Sequence, residues 1–260
     1  MRRRLLIPVL FALVALLGAG AASGELSQKG NLRISFDGGF TPRALPRQRP
    51  APITVDVEGS IGTTDGSRPP ALQRFEVELN RQGQLSTRGL PACSMPLLQS
   101  TTSAAALARC RPAIVGHGQF AAAVESGGKL IPANGRILAF NGTYRGGPAV
   151  LLHFYTAVPA RVTLIMPLAL SRKPKGKFGT VLATRIPILA GGLASITRID
   201  LEIGREYRYR GQRLSFISAS CAAPAGFPGA LFSFARGNFH FVDGRTITTT
   251  LTRDCRVRGV

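Results

Sequence analysis

The sequence predicts an all-β protein, an antiparallel β-sandwich with two local disulfides, and three observations carry that prediction. Short segments alternating apolar and polar residues with period two recur along the chain, separated by Gly- and Pro-rich turns. Only one segment, between Cys93 and Cys110, has a helical composition. Apolar residues make up 45% of the chain and charged residues 18%, which supplies a sizeable core and excludes a disordered polymer.

The elements follow in order. Arg2, Arg3 and Arg4 precede an uncharged, mostly apolar run over residues 5–18, and small residues then offer an Ala-x-Ala site ending at Ala21. These three parts in this order form an export signal over residues 1–21. The apolar run is shorter than the roughly 20 residues of a bilayer crossing. No second long apolar stretch follows, so the mature chain is expected to be secreted, with no transmembrane segment. Residues 22–30 read as a flexible lead-in to a single domain over residues 31–260.

Residues 32–36 alternate as a first strand. Pro42, Pro46, Pro50 and Pro52, interspersed with Arg43, Arg47 and Arg49, exclude a central strand because proline removes ladder donors; this is an edge segment or loop. Strands are expected at 53–59 and at 75–79, where Phe75, Val77 and Leu79 face inward and Glu76 and Glu78 outward. Residues 103–109, capped by Thr102 or Ser103, form a helix too short to stand alone. Strands resume at 118–124, 130–140, 149–156, 161–168, 181–188, 196–203, 214–220, 231–242 and 246–251, with turns at 126–129 and 172–177. The segment 74–79 is echoed by 198–203, which suggests two related halves, about 31–145 and 146–260.

Four cysteines in an exported chain imply two disulfides with three possible connectivities, and proximity favours Cys93–Cys110 and Cys221–Cys255. There is no C-x-x-C, and no histidine stands at ligand spacing from a cysteine, so no metal site is expected. The segment Cys93-Ser-Met-Pro-Leu-Leu, with Cys110-Arg-Pro-Ala-Ile-Val115-Gly116 after it, resembles a pattern recurring in uncharacterised secreted proteins of soil actinobacteria. In those proteins proline directly follows the second cysteine, whereas here Arg111 intervenes. The resemblance implies secretion and a β fold, and it carries no assigned chemistry.

The formal charge is +20, of which Arg2, Arg3 and Arg4 belong to the leader. A charge of this size attracts anions. For an exported protein these are acidic wall polymers or membrane head groups rather than nucleic acid. Arginine outnumbers lysine heavily, as a GC-rich genome would also produce, and both explanations stay open at this point. The anion-binding candidates are Arg43, Arg47, Arg49, Arg172, Lys173, Lys175, Lys177, Arg208 and Arg210, the last two alternating with Tyr207 and Tyr209.

No reaction centre is recognisable. Gly116-His117-Gly118-Gln119-Phe120-Ala121 fits a dinucleotide-loop spacing but lacks the following acid, and reads as a turn. No G-x-S-x-G occurs, and His117, His153 and His240 sit in no motif. Glu76/Glu78 and Asp200/Glu202 each place two acids about 7 Å apart on one strand face, a separation compatible with glycoside hydrolysis, although no Trp is available as a sugar platform. Asn141-Gly142-Thr143 is a glycosylation sequon if the host glycosylates. The expected function is a secreted non-catalytic binding or structural protein, without cofactor, contacting anionic polymers of the envelope through Arg-rich loops. The alternative is a secreted carbohydrate-active enzyme using a strand-borne carboxylate pair.

Overall fold

The computed structural model describes residues 24–259, so the export signal over 1–21 lies outside the described residues. The first half of the chain forms β1 (Glu25–Lys29), β2 (Leu32–Thr41), β3 (Ala44–Leu45), β4 (Ala51–Pro52), β5 (Thr54–Thr63), β6 (Leu72–Asn80), β7 (Gly83–Leu85), α1 (Met95–Leu98), α2 (Ser103–Cys110), β8 (Ile114–Ser126) and β9 (Lys129–Tyr144). The second half forms β10 (Gly147–Thr156), β11 (Val162–Arg172), β12 (Phe178–Arg185), β13 (Ala194–Ile203), β14 (Glu206–Tyr209), β15 (Gln212–Ser215), β16 (Ile217–Ala219), β17 (Gly229–Phe241) and β18 (Thr246–Val257). The antiparallel all-β expectation holds. Its facing layers, however, are the two halves of one continuous curled sheet, with order β1-β2-β5-β13-β8-β9-β10-β11-β12-β6-β17-β18-β3.

That order contains an exchange. β6 leaves the first half and inserts between β12 and β17, while β13 leaves the second half and inserts between β5 and β8. Each half therefore reads as three strands, one guest strand from the other half, and two more strands. The guests are the echoed segments: Arg74 to Leu79 lies in β6 and Arg198 to Ile203 in β13.

The halves join twice. At one join β9 and β10 pair through a tight hairpin and a full antiparallel ladder. At the other, β18 runs beside β1 and β2 and side chains close the seam. Arg245 Nη1 donates to Asn31 Oδ1 at 2.8 Å and to the Lys29 carbonyl at 3.3 Å. Buried Arg253 donates through Nε to the Gly38 carbonyl at 2.6 Å and pairs with Asp37.

Inward-facing residues drive the curl, since the apolar rows of both halves must meet to leave water. Phe36 packs edge-on to Phe239 at 5.9 Å, Phe75 lies 5.0 Å from Phe239, and Phe120 meets Phe154 at 5.2 Å. About eight strands make a closure that side chains just fill, so a longer circuit encloses spare volume. A three-stranded sheet, β4-β16-β7, fills part of it and buries Phe216 and Ile217.

The two ends of the curled sheet differ. One end carries the long excursions, residues 42–53, 81–113 and 204–228. The other has short hairpin turns and two crossings, 64–71 and 186–193, joined where Arg68 donates to the Gly192 carbonyl and Ser195 Oγ to the Pro69 carbonyl at 3.0 Å.

After β7, the part of the excursion 81–113 over residues 93–113 forms a second layer outside β9, β10 and β11. Leu98 and Ala106 pack there against Phe140 and Leu151, giving a second apolar core. This explains the unbroken apolar runs of β9 and β10, which are covered on both faces. Gly142 permits the contact, because a Cβ there would sit 2.7 Å from the Cys93 carbonyl oxygen. The disulfides are Cys93–Cys110 and Cys221–Cys255, the pairing that proximity favours.

Several expectations are corrected. Residues 25–29 form β1, paired with β2 from Glu25↔Phe36 to Lys29↔Leu32, and are no flexible lead-in. The cysteine loop holds a single-turn helix, α1, as well as α2, whose Thr102 cap accepts from the Ala105 amide as expected. Gly116 and Gly118 lie inside β8 rather than in a turn, where a Cβ would strike the Glu202 and Asp200 carbonyls of β13. The Pro-rich stretch is an edge, as expected, with β3 the outermost strand and parallel to β18.

The exchange makes the halves interdependent. Residues 22–145 and 146–260 expressed separately are expected to show no cooperative urea transition, and to regain one when mixed; a cooperative transition in either alone would rule out that dependence. Replacing Cys93 and Cys110 by Ala should lower unfolding free energy by about 3 kcal/mol, from the loop-entropy argument, as read by urea denaturation.

Candidate functional site

The cationic candidates come from three separate excursions or turns, and the topology brings all of them to one end of the curled sheet. Arg43, Arg47 and Arg49 lie between β2 and β5, Arg172 ends β11 and Lys173 to Lys177 follow it before β12, and Arg208 and Arg210 lie between β13 and β17. The same end carries Arg205 and Arg213, which bound the basic and aromatic strip, and Arg81, Arg88, Arg109, Arg111 and Arg145, which sequence reasoning did not single out. Glu206 is the one acid in these connections among the described residues. The connections at the opposite end hold Arg68, Arg161 and Arg245 against Asp65 and Asp243.

These cations do different work. Arg43 pairs with Asp254 at 2.7 Å and lies over the Phe40 ring. Arg47 donates to the carbonyls of Ala223, Pro224 and Phe227, clamping the excursion that carries Cys221. Lys173 covers Glu78. Arg49, Arg172, Lys175, Lys177 and Arg208 are exposed, with no ion pair to an acid among the described residues. Arg210 is exposed too, in the tight turn between β14 and β15, and folds back 5.3 Å over the Tyr209 ring. Tyr207 donates to the Arg88 carbonyl at 2.7 Å, and Tyr209 packs against Gly89, so both tyrosines anchor the hairpin.

The carboxylate pairs do not meet a cavity. Glu78 is 2% exposed on the outer face, beneath Lys173 and Arg236. Burial opposes its ionisation, but hydrogen bonds from Lys173 and Arg236 outweigh that and hold the carboxyl below its ordinary range. Glu76 pairs with Arg74 at 3.0 Å, and Asp200 and Glu202 are exposed on the outer face of β13. Among the described residues no three His, Cys, Asp or Glu gather as metal ligands, and no helix is long and apolar enough to cross a membrane.

His153 is wholly buried between β10 and the cysteine loop. Its Nε2 lies 3.0 Å from the Thr101 carbonyl, which can only accept, so Nε2 carries the proton and Nδ1 is left without a partner. Burial holds its pKa below the usual imidazole value, against the opposing Thr101 contact. Asn141 of the sequon is buried, with Nδ2 donating to the Leu90 and Pro91 carbonyls at 3.3 and 2.9 Å. It anchors the loop and is closed to glycosylation in the folded chain.

The remaining feature is an interior cavity of about 140 Å³ between the two halves of the sheet. It runs from Phe216 and Ile217 near the basic end to Leu72 and Ile186 near the other. No sequence signal marked it, because its lining is ordinary strand residues. No family model, curated protein or solved structure matches the chain.

Two outcomes follow. Glu78→Gln leaves Lys173 and Arg236 facing an uncharged buried amide and should cost about 2 kcal/mol in urea denaturation; an unchanged midpoint would contradict the pairing. For His153, the unfolded chain takes up a proton as pH falls through about 6.5 while the folded chain resists until lower pH. Stability should therefore drop as pH falls below that value, and His153→Leu should flatten the dependence of Tm on pH in that window.

Proposed function

We propose that the protein is a secreted, non-catalytic binding protein that meets anionic polymers of the cell envelope through its basic end. The observation carrying this reading is the polarity of charge: the connections at one end are almost free of acids, while those at the other are nearly balanced. A coding preference for arginine acts on every position alike and would not sort cations by end. Sorting of this kind builds a potential that steers and retains polyanions.

Two features support the extracellular setting. Both disulfides fit an oxidising compartment. The outer faces of β5 and β13 carry Asp56, Glu58, Asp200 and Glu202, the reverse of the apolar band of a lipid-embedded barrel. The excursions that present the cations are themselves tied down by Cys221–Cys255, by Arg47 and by the tyrosine hairpin. A surface held in place loses little entropy on binding.

Retention on a heparin or polyphosphate matrix should fall steeply as salt rises from about 0.1 M toward 1 M, where screening shortens from about 10 Å to about 3 Å. Lys175→Glu with Lys177→Glu and Arg208→Glu should elute at markedly lower salt. Arg161→Glu, at the opposite end, should change elution much less than Lys177→Glu alone, which alters the net charge by the same amount; equal shifts from these two single variants would reduce the effect to net charge and sink the reading.

A further inference from the structure

We infer that the interior cavity is a binding site for the aliphatic chain of a fatty acid or fatty acyl lipid. The inference rests on the sheet interior alone and stands apart from the reading of the basic end. The cavity is about 140 Å³, close to the roughly 150 Å³ at which an apolar protein cavity stays dry and accepts a hydrocarbon. Val57, Phe75, Val150, Met166 and Leu201 contribute to its wall from both halves. Arg198 borders it, but its side chain is 61% exposed and directed to Glu58 at 3.6 Å. Thr184, the buried polar residue in the wall, donates its hydroxyl to the Arg185 carbonyl at 3.3 Å. No polar group in the wall is left seeking a partner among the described residues, so an occupant there gains from hydrocarbon and from nothing else.

Gly59 makes the room. On β5 the inward row runs Val55, Val57, Gly59, Ile61, so a side chain is missing in the middle of the wall. A Cβ at Gly59 would find only the Ser35 carbonyl, at 3.9 Å. The backbone there does not require glycine, since its φ lies outside the left-handed region. The omitted side chain therefore serves neither a turn nor a close approach, and its effect is to leave volume open. At the end opposite the cations, Val158, Ile188, Leu193 and Val242 are exposed, and Leu72 and Ile186 border the cavity on that side. An aliphatic chain entering from that end would meet apolar surface, with its polar head group left in water.

The test uses the full mature chain and n-alkanoates from hexanoate to tetradecanoate, competing with a fluorescent polyene fatty acid. Affinity should rise about three- to fourfold for each added methylene, the increment for moving one CH₂ out of water, and level off once the cavity is full. Gly59→Leu should weaken the longest bound chain at least tenfold while keeping the wild-type circular dichroism spectrum. Gly59→Ala, which adds one carbon, should produce a smaller loss in the same direction. A flat chain-length series, or Gly59→Leu binding as tightly as the wild type with its fold intact, would overturn the assignment. Should Gly59→Leu fail to fold, the wild-type series and Gly59→Ala decide the matter.

Discussion

The architecture depends on the exchange of β6 and β13. Each half of the chain gives one long strand to the other, so neither half has a complete layer of its own. To make the exchange the chain must cross at one end, through 64–71 and 186–193, and return at the other, through 81–113 and 204–228. The crossings are short because they only bridge the two facing layers. The returns are long, and they carry the disulfides, the helices and most of the cations.

Both candidate functional features follow from that path. Return excursions lie on the surface at one end, which is where arginine and lysine can gather without desolvation cost. The circuit of strands is wider than side chains alone can fill. The chain spends Phe216 and the small sheet β4-β16-β7 on part of that width, and Gly59 leaves a residual space. The seam beside β1 also matters here. A full ladder there would fix the circumference, whereas Arg253 and Arg245 close it through side chains reaching backbone carbonyls.

The outside of the sheet shows how polar groups are recruited for packing. Glu78, Asn141 and His153 are all buried away from the interior, each under an excursion or a cation. Glu78 is neutralised by two cations, Asn141 is satisfied through its amide nitrogen by two carbonyls, and His153 by one carbonyl on one nitrogen. Sequence reading offered Glu78 as one of a catalytic carboxylate pair and Asn141 as a glycosylation acceptor, while His153 sat in no motif. Their surroundings make them supports for the layer above, with the cysteine loop seated on Asn141 and His153.

The sequence by itself determined the strand-rich class, the positions of most strands and the short helix after Thr102, and it favoured by proximity the two cysteine pairs that the fold joins. Alternation of period two, a capping hydroxyl and proximity along the chain are local signals, and local physics suffices to read them. It also registered the likeness of Arg74–Leu79 to Arg198–Ile203, two segments that prove to be the exchanged strands. What only the tertiary structure decided was which half each of those strands would join, and that β1 would pair at all. It also decided that cations scattered over residues 43 to 213 would share one end, and that Gly59 would face empty space. Those outcomes depend on partners far apart in sequence, and a residue carries no local mark of the strand it will lie beside.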